Sequence, residues 1–258
     1  MYLHPVNIVA AVYPEETRPW EGGILTSVVG SLENLDNHGH GAKLETTVMM
    51  PSWCLTFLNW NNGLDWKLQA LKYRHMNSFI SIVRDRDTGR VYKDPDSGAA
   101  RIEYSPSAFD RAHAMEGVQA LAKIQFIMGA SEIHVCISGT PAFIRANPGK
   151  NETSEETTAR FETWLEDVKK TGNKPPAGIF ASAHQMGTCR MSRRANMGVV
   201  DMRGKVWDTE GLYVSDASVF PSASGVNPMI TNMAISDWIS RELSKDIMKE
   251  KMPPMARL

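Results

Sequence analysis

Apolar runs broken by glycine and proline alternate along this chain with stretches whose apolar positions repeat at helical spacing. Residues 2–16, YLHPVNIVAAVYPEE, string Val, Ile and Ala together without a polar lead-in, which predicts a strand. WEGGILTSVVG and AKLETTVMMPSW continue with short β-branched stretches, read as further sheet with loops. Leu64, Leu68, Leu71 and His75 fall at helical spacing within 61–78, so a helix is expected there. FISIVRDRDTGRVYKD then alternates and turns at Asp87-Thr88-Gly89, the pattern of a hairpin.

A second helix is expected from Ser107 to Gly129, where glycine supplies a left-handed stop, followed by the strand EIHVCISG. Phe161, Trp164, Leu165 and Val168 mark the buried stripe of a surface helix within a polar region. Leu212–Val214 reads as a buried strand. Asn227 reads as an N-cap with Pro228 at the first helical position, and Ile230, Met233, Ala234 and Trp238 as the stripe of the last helix. Strands interleaved with helices give a mixed α/β (α+β) fold.

Composition narrows the function. A hydrophobic fraction of 42% and a charged fraction of 22% are ordinary for a globular protein. A net charge of −1 argues against nucleic acid, whose binding needs a clustered positive surface. Cys54, Cys136 and Cys189 form no CxxC pair and read as reduced thiols, with neither a disulfide framework nor a metal site. No apolar run reaches the roughly 18 residues of a spanning helix, so any membrane contact is expected to be peripheral.

The chemistry gathers in ASAHQMGTCRM, residues 181–191. Small residues and Gly187 around His184 leave room for another molecule against the backbone, and imidazole suits abstraction of a hydroxyl proton near neutral pH. Downstream, the helix after Asn227 points its positive end and free amides at whatever lies in front of it. Asp216 ends the strand-like GLYVSDAS, where cofactors meet open sheets. His38 and His40 lack the further ligands of a metal site, and His4, His75, His113 and His134 read as structural. The run TTVMMPSWCLTFLNW suits either an apolar channel for an alkyl tail or core packing.

HQMGTCRM, VVDMRGKVW, GLYVSDASVFPSASGVNPM and the closing helix resemble the C-terminal signature of the glucose-methanol-choline (GMC) family of FAD-dependent oxidoreductases. YLHPV, HGAKLE, FISIVRDRDTGRV and RIEYSPSAFD resemble its branch acting on long-chain fatty alcohols. The resemblance implies a substrate-binding region over 1–195, a return into the FAD-binding domain over 196–245, and a tail over 246–258. It implies His184 as the base that takes the alcohol proton, with Asn227 holding the alcohol oxygen. Asn227, Pro228 and Met229 would approach the flavin pyrimidine, and Asp216 and Ala217 the ribityl and pyrophosphate of FAD. The expected partners are a long-chain primary alcohol and molecular oxygen.

No G-x-G-x-x-G turn occurs in the chain, so the dinucleotide-binding unit is expected to be missing from these residues, which read as a C-terminal portion expected to hold FAD weakly. The alternatives are a catalytically silent fragment, or a dehydrogenase using another acceptor. The closing Ala256-Arg257-Leu258 has the form of a peroxisomal address, against membrane-associated or cytoplasmic residence.

Overall fold

The computed structural model describes residues 1–23, 25–146 and 149–251, the side chains of the last three excepted. The described chain divides into two compact units. One comprises Pro5–Val83 and Ser107–Ala181; the other gathers Met1–His4, Arg84–Pro106 and Ser182–Leu258.

The first unit is built on a six-stranded sheet. Its strands are β1 Val6–Val12, β2 Val28–Leu32, β3 Ala42–Thr46, β4 Met76–Val83, β7 Glu132–Val135 and β8 Phe143–Ile144, in the order β2-β3-β4-β1-β7-β8. Every pairing is antiparallel. β1 is buried along its whole length, which is why its sequence is apolar at every position but Asn7 rather than alternating. Val9 and Ala11 join the core formed with α3 (Ala108–Ile127) and α4 (Ser154–Thr171). Ala10 and Val12 face the other way, into a second core with Met49, Cys54, Leu55, Leu58 and Met76. The Met- and Trp-rich run thus serves mainly as core, with Met50 and Trp60 left exposed.

Both long helices match their sequence signals. Ser107 caps α3 by accepting from the Asp110 amide at 3.1 Å, and Gly129 beyond its end sits at φ +86. α4 opens with a reciprocal capping box between Thr153 and Glu156, and its Phe161, Trp164, Leu165 and Val168 are all buried. Gly117 lets α3 lie against the sheet: a Cβ there would stand 2.0 Å from Ser81 Oγ.

Three expectations fail locally. α1 (Pro51–Cys54) is followed by α2, Gly63–Leu71, which ends early, and its expected stripe Leu64, Leu68 and Leu71 is exposed. The helix is seated instead by Gln69, whose Nε2 donates to the Asn59 carbonyl at 2.8 Å, a polar anchor that apolar periodicity does not register. His75 lies in a 3₁₀ turn after α2. The hairpin expected at Asp87–Gly89 is absent. β4 completes the large sheet, while β5 (Arg90–Lys93) pairs with β6 (Ala100–Glu103) in the other unit. Their turn is organised by Asp94, which accepts from Ser97 N and Ser97 Oγ, both at 2.8 Å.

The second unit packs Met186, Val200, Val219, Phe220 and Ile239 into its own core. Its long helix is α5, Met229–Lys251. Leu212–Val214 is not a buried strand: Leu212 is exposed, and only Tyr213 forms a bridge, to Lys205. α5 begins at Met229 rather than Pro228, so Pro228 supplies the capping carbonyl, accepting from Asn232 N at 2.7 Å. The face of α5 toward the core carries Ile235 and Ile239, whereas Ile230, Met233 and Trp238 of the expected stripe are 68%, 61% and 52% exposed. No helix among the described residues is long and apolar enough to cross a membrane.

Candidate active site

The second unit assembles its polar centre around a residue that sequence reading assigned to structure, His4. Tyr2 and Met186 exchange backbone hydrogen bonds of 2.8 and 3.0 Å as an antiparallel bridge. Two residues further along each strand, that register brings His4 opposite His184. His4 is completely buried and holds a left-handed φ of +49, uncommon for a non-glycine residue. Asp85 fixes this turn, its carboxylate accepting from Leu3 N at 2.8 Å, His4 N at 3.2 Å and Tyr104 Oη at 3.0 Å. Burial nevertheless pushes the Asp85 carboxyl above its ordinary pKa, outweighing the three donors.

The His4 ring is engaged on both sides. Its Nδ1 lies 3.2 Å from His184 Nδ1, with the rings edge to face at 89°. Its Nε2 accepts the Gly225 amide at 3.0 Å. His184 is half-buried, its own amide donates to Ser182 Oγ at 3.2 Å, and Ser182 Oγ in turn donates to the Leu3 carbonyl. Burial lowers the pKa of His184 and so favours the neutral ring. Gly187 takes φ +77, and a Cβ there would meet the Tyr2 ring at 3.0 Å and the Phe220 carbonyl at 3.2 Å. Glycine thus supplies the unusual dihedral and the close approach that its place beside His184 suggested, and the bridge closes only because of it.

The segment carrying Asn227 arrives on the other side of His4. Gly225 takes φ +71, and Arg84 Nε holds the preceding turn by donating to the Ala223 carbonyl at 3.2 Å. Asn227 and Pro228 are half-buried, and Met229 is exposed at the start of α5. Asp216 is exposed and caps the turn Ala217–Val219, accepting from Ser218 N at 2.8 Å. His184 and the Ser224–Asn227 loop are therefore brought together through one imidazole, while Asp216 and Ala217 are held in a separate turn.

The model of the GMC oxidoreductase family matches residues 85–236, more than half of the chain. The chain belongs to the GMC oxidoreductase family. It is 32% identical to the long-chain-alcohol oxidase FAO3 of Arabidopsis thaliana, over 96% of this chain and 33% of that protein. The GMC-type oxidoreductase Rv0492c of Mycobacterium tuberculosis is 25% identical over 91% of this chain and 33% of its own length. Among solved structures, a formate oxidase superposes with TM-score 0.59 at 14% identity, covering 95% of this chain and 46% of that one. Pyridoxine 4-oxidase from Mesorbium loti gives 0.55 at 14%, covering 93% and 43%. The chain spans about one third of the length of the curated relatives it matches.

Members of the GMC family bind FAD, and the residues here suit one end of it. The first turn of α5 presents backbone amides without intrahelical acceptors, next to exposed Met229 and Ile230, a donor set suited to an electron-rich ring edge. Asn232 Oδ1, in the same turn, is buried without a hydrogen-bond partner. For the ADP half, the chain offers no G-x-G-x-x-G turn.

His40, His75 and His134 have local partners. His40 Nδ1 lies 2.8 Å from Asp36 Oδ2, His75 Nδ1 is 2.9 Å from the Glu15 carbonyl, and His134 Nε2 is 3.2 Å from Glu132 Oε2. No group of three metal-binding side chains occurs among the described residues. Cys54, Cys136 and Cys189 are free thiols, and burial pushes Cys136 up to about 12. His4 escaped the sequence reading because its neighbours are apolar. Its one distinguishing signal is the His-Pro pair ahead of the buried strand.

Proposed function

We propose that this chain carries the alcohol-handling side of a flavin-dependent oxidation, converting a long-chain primary alcohol to the aldehyde with oxygen as final acceptor. The observation carrying this reading is the convergence of His184 and the Asn227 loop on the two nitrogens of the buried His4 ring. The similarity to the Arabidopsis long-chain-alcohol oxidase supports the long-chain alcohol as substrate.

In this reading His184 takes the hydroxyl proton at Nε2, the ring nitrogen that does not face His4. A general base in this role contributes about 10²–10⁴-fold. Asn227 holds the alcohol oxygen with a side chain that does not titrate, so orientation survives the proton transfer. The amides of Pro228's successors at the start of α5 favour negative charge in front of the helix. A bound flavin supplies the hydride acceptor. Asp216 and Ala217 would meet its ribityl and pyrophosphate portion.

A second reading is supported by the exposed Ile230, Met233 and Trp238 on α5 and by the lack of a glycine fingerprint: these 258 residues alone hold FAD weakly and stay silent. Ala256-Arg257-Leu258, outside the described residues, is proposed as a peroxisomal address; removing it from a reporter fusion should release the fusion to the cytoplasm. The function is tested with the polypeptide purified from its own cells. A yellow protein that bleaches anaerobically with hexadecanol, and not with palmitate, is expected; a yellow protein inert to every primary alcohol overturns the substrate, and a colourless one supports the silent alternative.

A further inference from the structure

We propose that His4 is a positioning residue that fixes the tautomer of His184, holding the ring proton of His184 on Nε2. The assignment follows from donors and acceptors. A backbone amide can only donate, so the 3.0 Å contact from Gly225 N makes His4 Nε2 an acceptor without a proton. The proton of neutral His4 therefore sits on Nδ1. The partner of that Nδ1 is His184 Nδ1 at 3.2 Å, which has to accept. His184 then carries its own proton on Nε2.

The surroundings are built to keep this order. His4 is fully buried with φ +49, and its backbone is held through its own amide by Asp85. Gly225 is equally constrained, since a side chain at its φ of +71 would meet Arg84 Cδ at 2.8 Å.

The consequence for catalysis rests on the reading of His184 as base. In the resting pair, Nε2 of His184 donates to an alcohol oxygen and orients it but accepts nothing. For Nε2 to accept a proton, the shared proton has to move from His4 Nδ1 to His184 Nδ1. His184 Nε2 then releases its proton to water, and His4 Nε2 takes one from water, so the pair gains and loses equally. The Gly225 amide loses its acceptor in that state. The loop that presents Asn227 thereby governs whether His184 donates or accepts.

The test needs neither flavin nor substrate. In the chain labelled with ¹⁵N on histidine, at a pH where the rings are neutral, His4 should show a protonated Nδ1 and an unprotonated Nε2. His184 should show the opposite, with a nitrogen–nitrogen coupling across the shared hydrogen; His184→Gln assigns the signals. A His4 protonated on Nε2, or a His184 protonated on Nδ1, overturns the proposal. In His4→Gln the amide oxygen can accept, and His184 should gain a protonated Nδ1 population; an unchanged His184 overturns the role of His4 even where the wild-type tautomers are as expected. Loss of alcohol oxidation by itself leaves this result intact, so the two readings fail separately.

Discussion

Nδ1 of His4 and Nδ1 of His184 stand 3.2 Å apart across the register set by the Tyr2–Met186 bridge. Two imidazoles facing through the same type of nitrogen share one hydrogen, so the protonation of each is decided by what the other touches. For His4 that is the amide of Gly225, two residues before Asn227. Backbone conformation in the Ser224–Asn227 loop is thus tied, in the proposed assignment, to the tautomer of the ring proposed as the base.

The first prediction concerns that loop. Gly225→Ala places a Cβ at φ +71, 2.8 Å from Arg84 Cδ. The Arg84 side chain can shift, so the backbone penalty dominates, about 1–2 kcal/mol. Urea unfolding should show a lower midpoint with an unchanged slope. An unchanged midpoint would mean that the loop is not held as described.

Legibility from sequence followed the kind of force at work. α3 was readable from its start at Ser107 and its stop at Gly129, and α4 from its stripe, since Phe161, Trp164, Leu165 and Val168 are buried. α2 and α5 misled because Gln69 anchors one, and because the most apolar face of the other, Ile230 to Trp238, is exposed. β4 and β5 looked like one hairpin because the turn residues Asp87-Thr88-Gly89 lie between them, yet pairing is decided by partners distant in sequence. His184 and Asn227 stood out through their small and helix-starting neighbours. His4 did not, since its role depends on a contact across 180 residues.

Acid stability should depend on Glu132. A hydrogen bond from His134 and the Lys72 ammonium at 2.6 Å outweigh burial and hold its carboxyl at about 2, below the 4.5 of a free side chain. The folded form is thus favoured by the ionised group. This stabilisation is fully present above about pH 4.5 and is lost as pH falls toward about 2. Glu132→Gln should lower thermal stability at neutral pH and flatten its decline over that window. An equally steep decline in the variant would remove Glu132 as the cause.

The outer face of α5 makes a prediction about surface. Met229, Ile230, Met233 and Trp238 are each more than half exposed, a contiguous apolar stretch of the kind that associates. The chain should bind a hydrophobic fluorescent dye, and Ile230→Glu with Met233→Glu should cut that signal several-fold while leaving the far-ultraviolet dichroism intact. Equal dye binding in the double variant would place the apolar surface elsewhere.

The role of His184 as base is tested most directly by single-turnover reduction of the flavin-loaded natural polypeptide by hexadecanol in the absence of oxygen. His184→Ala should keep the yellow colour and slow the bleaching by about 10²–10⁴-fold. Bleaching of that variant at the wild-type rate would contradict the account.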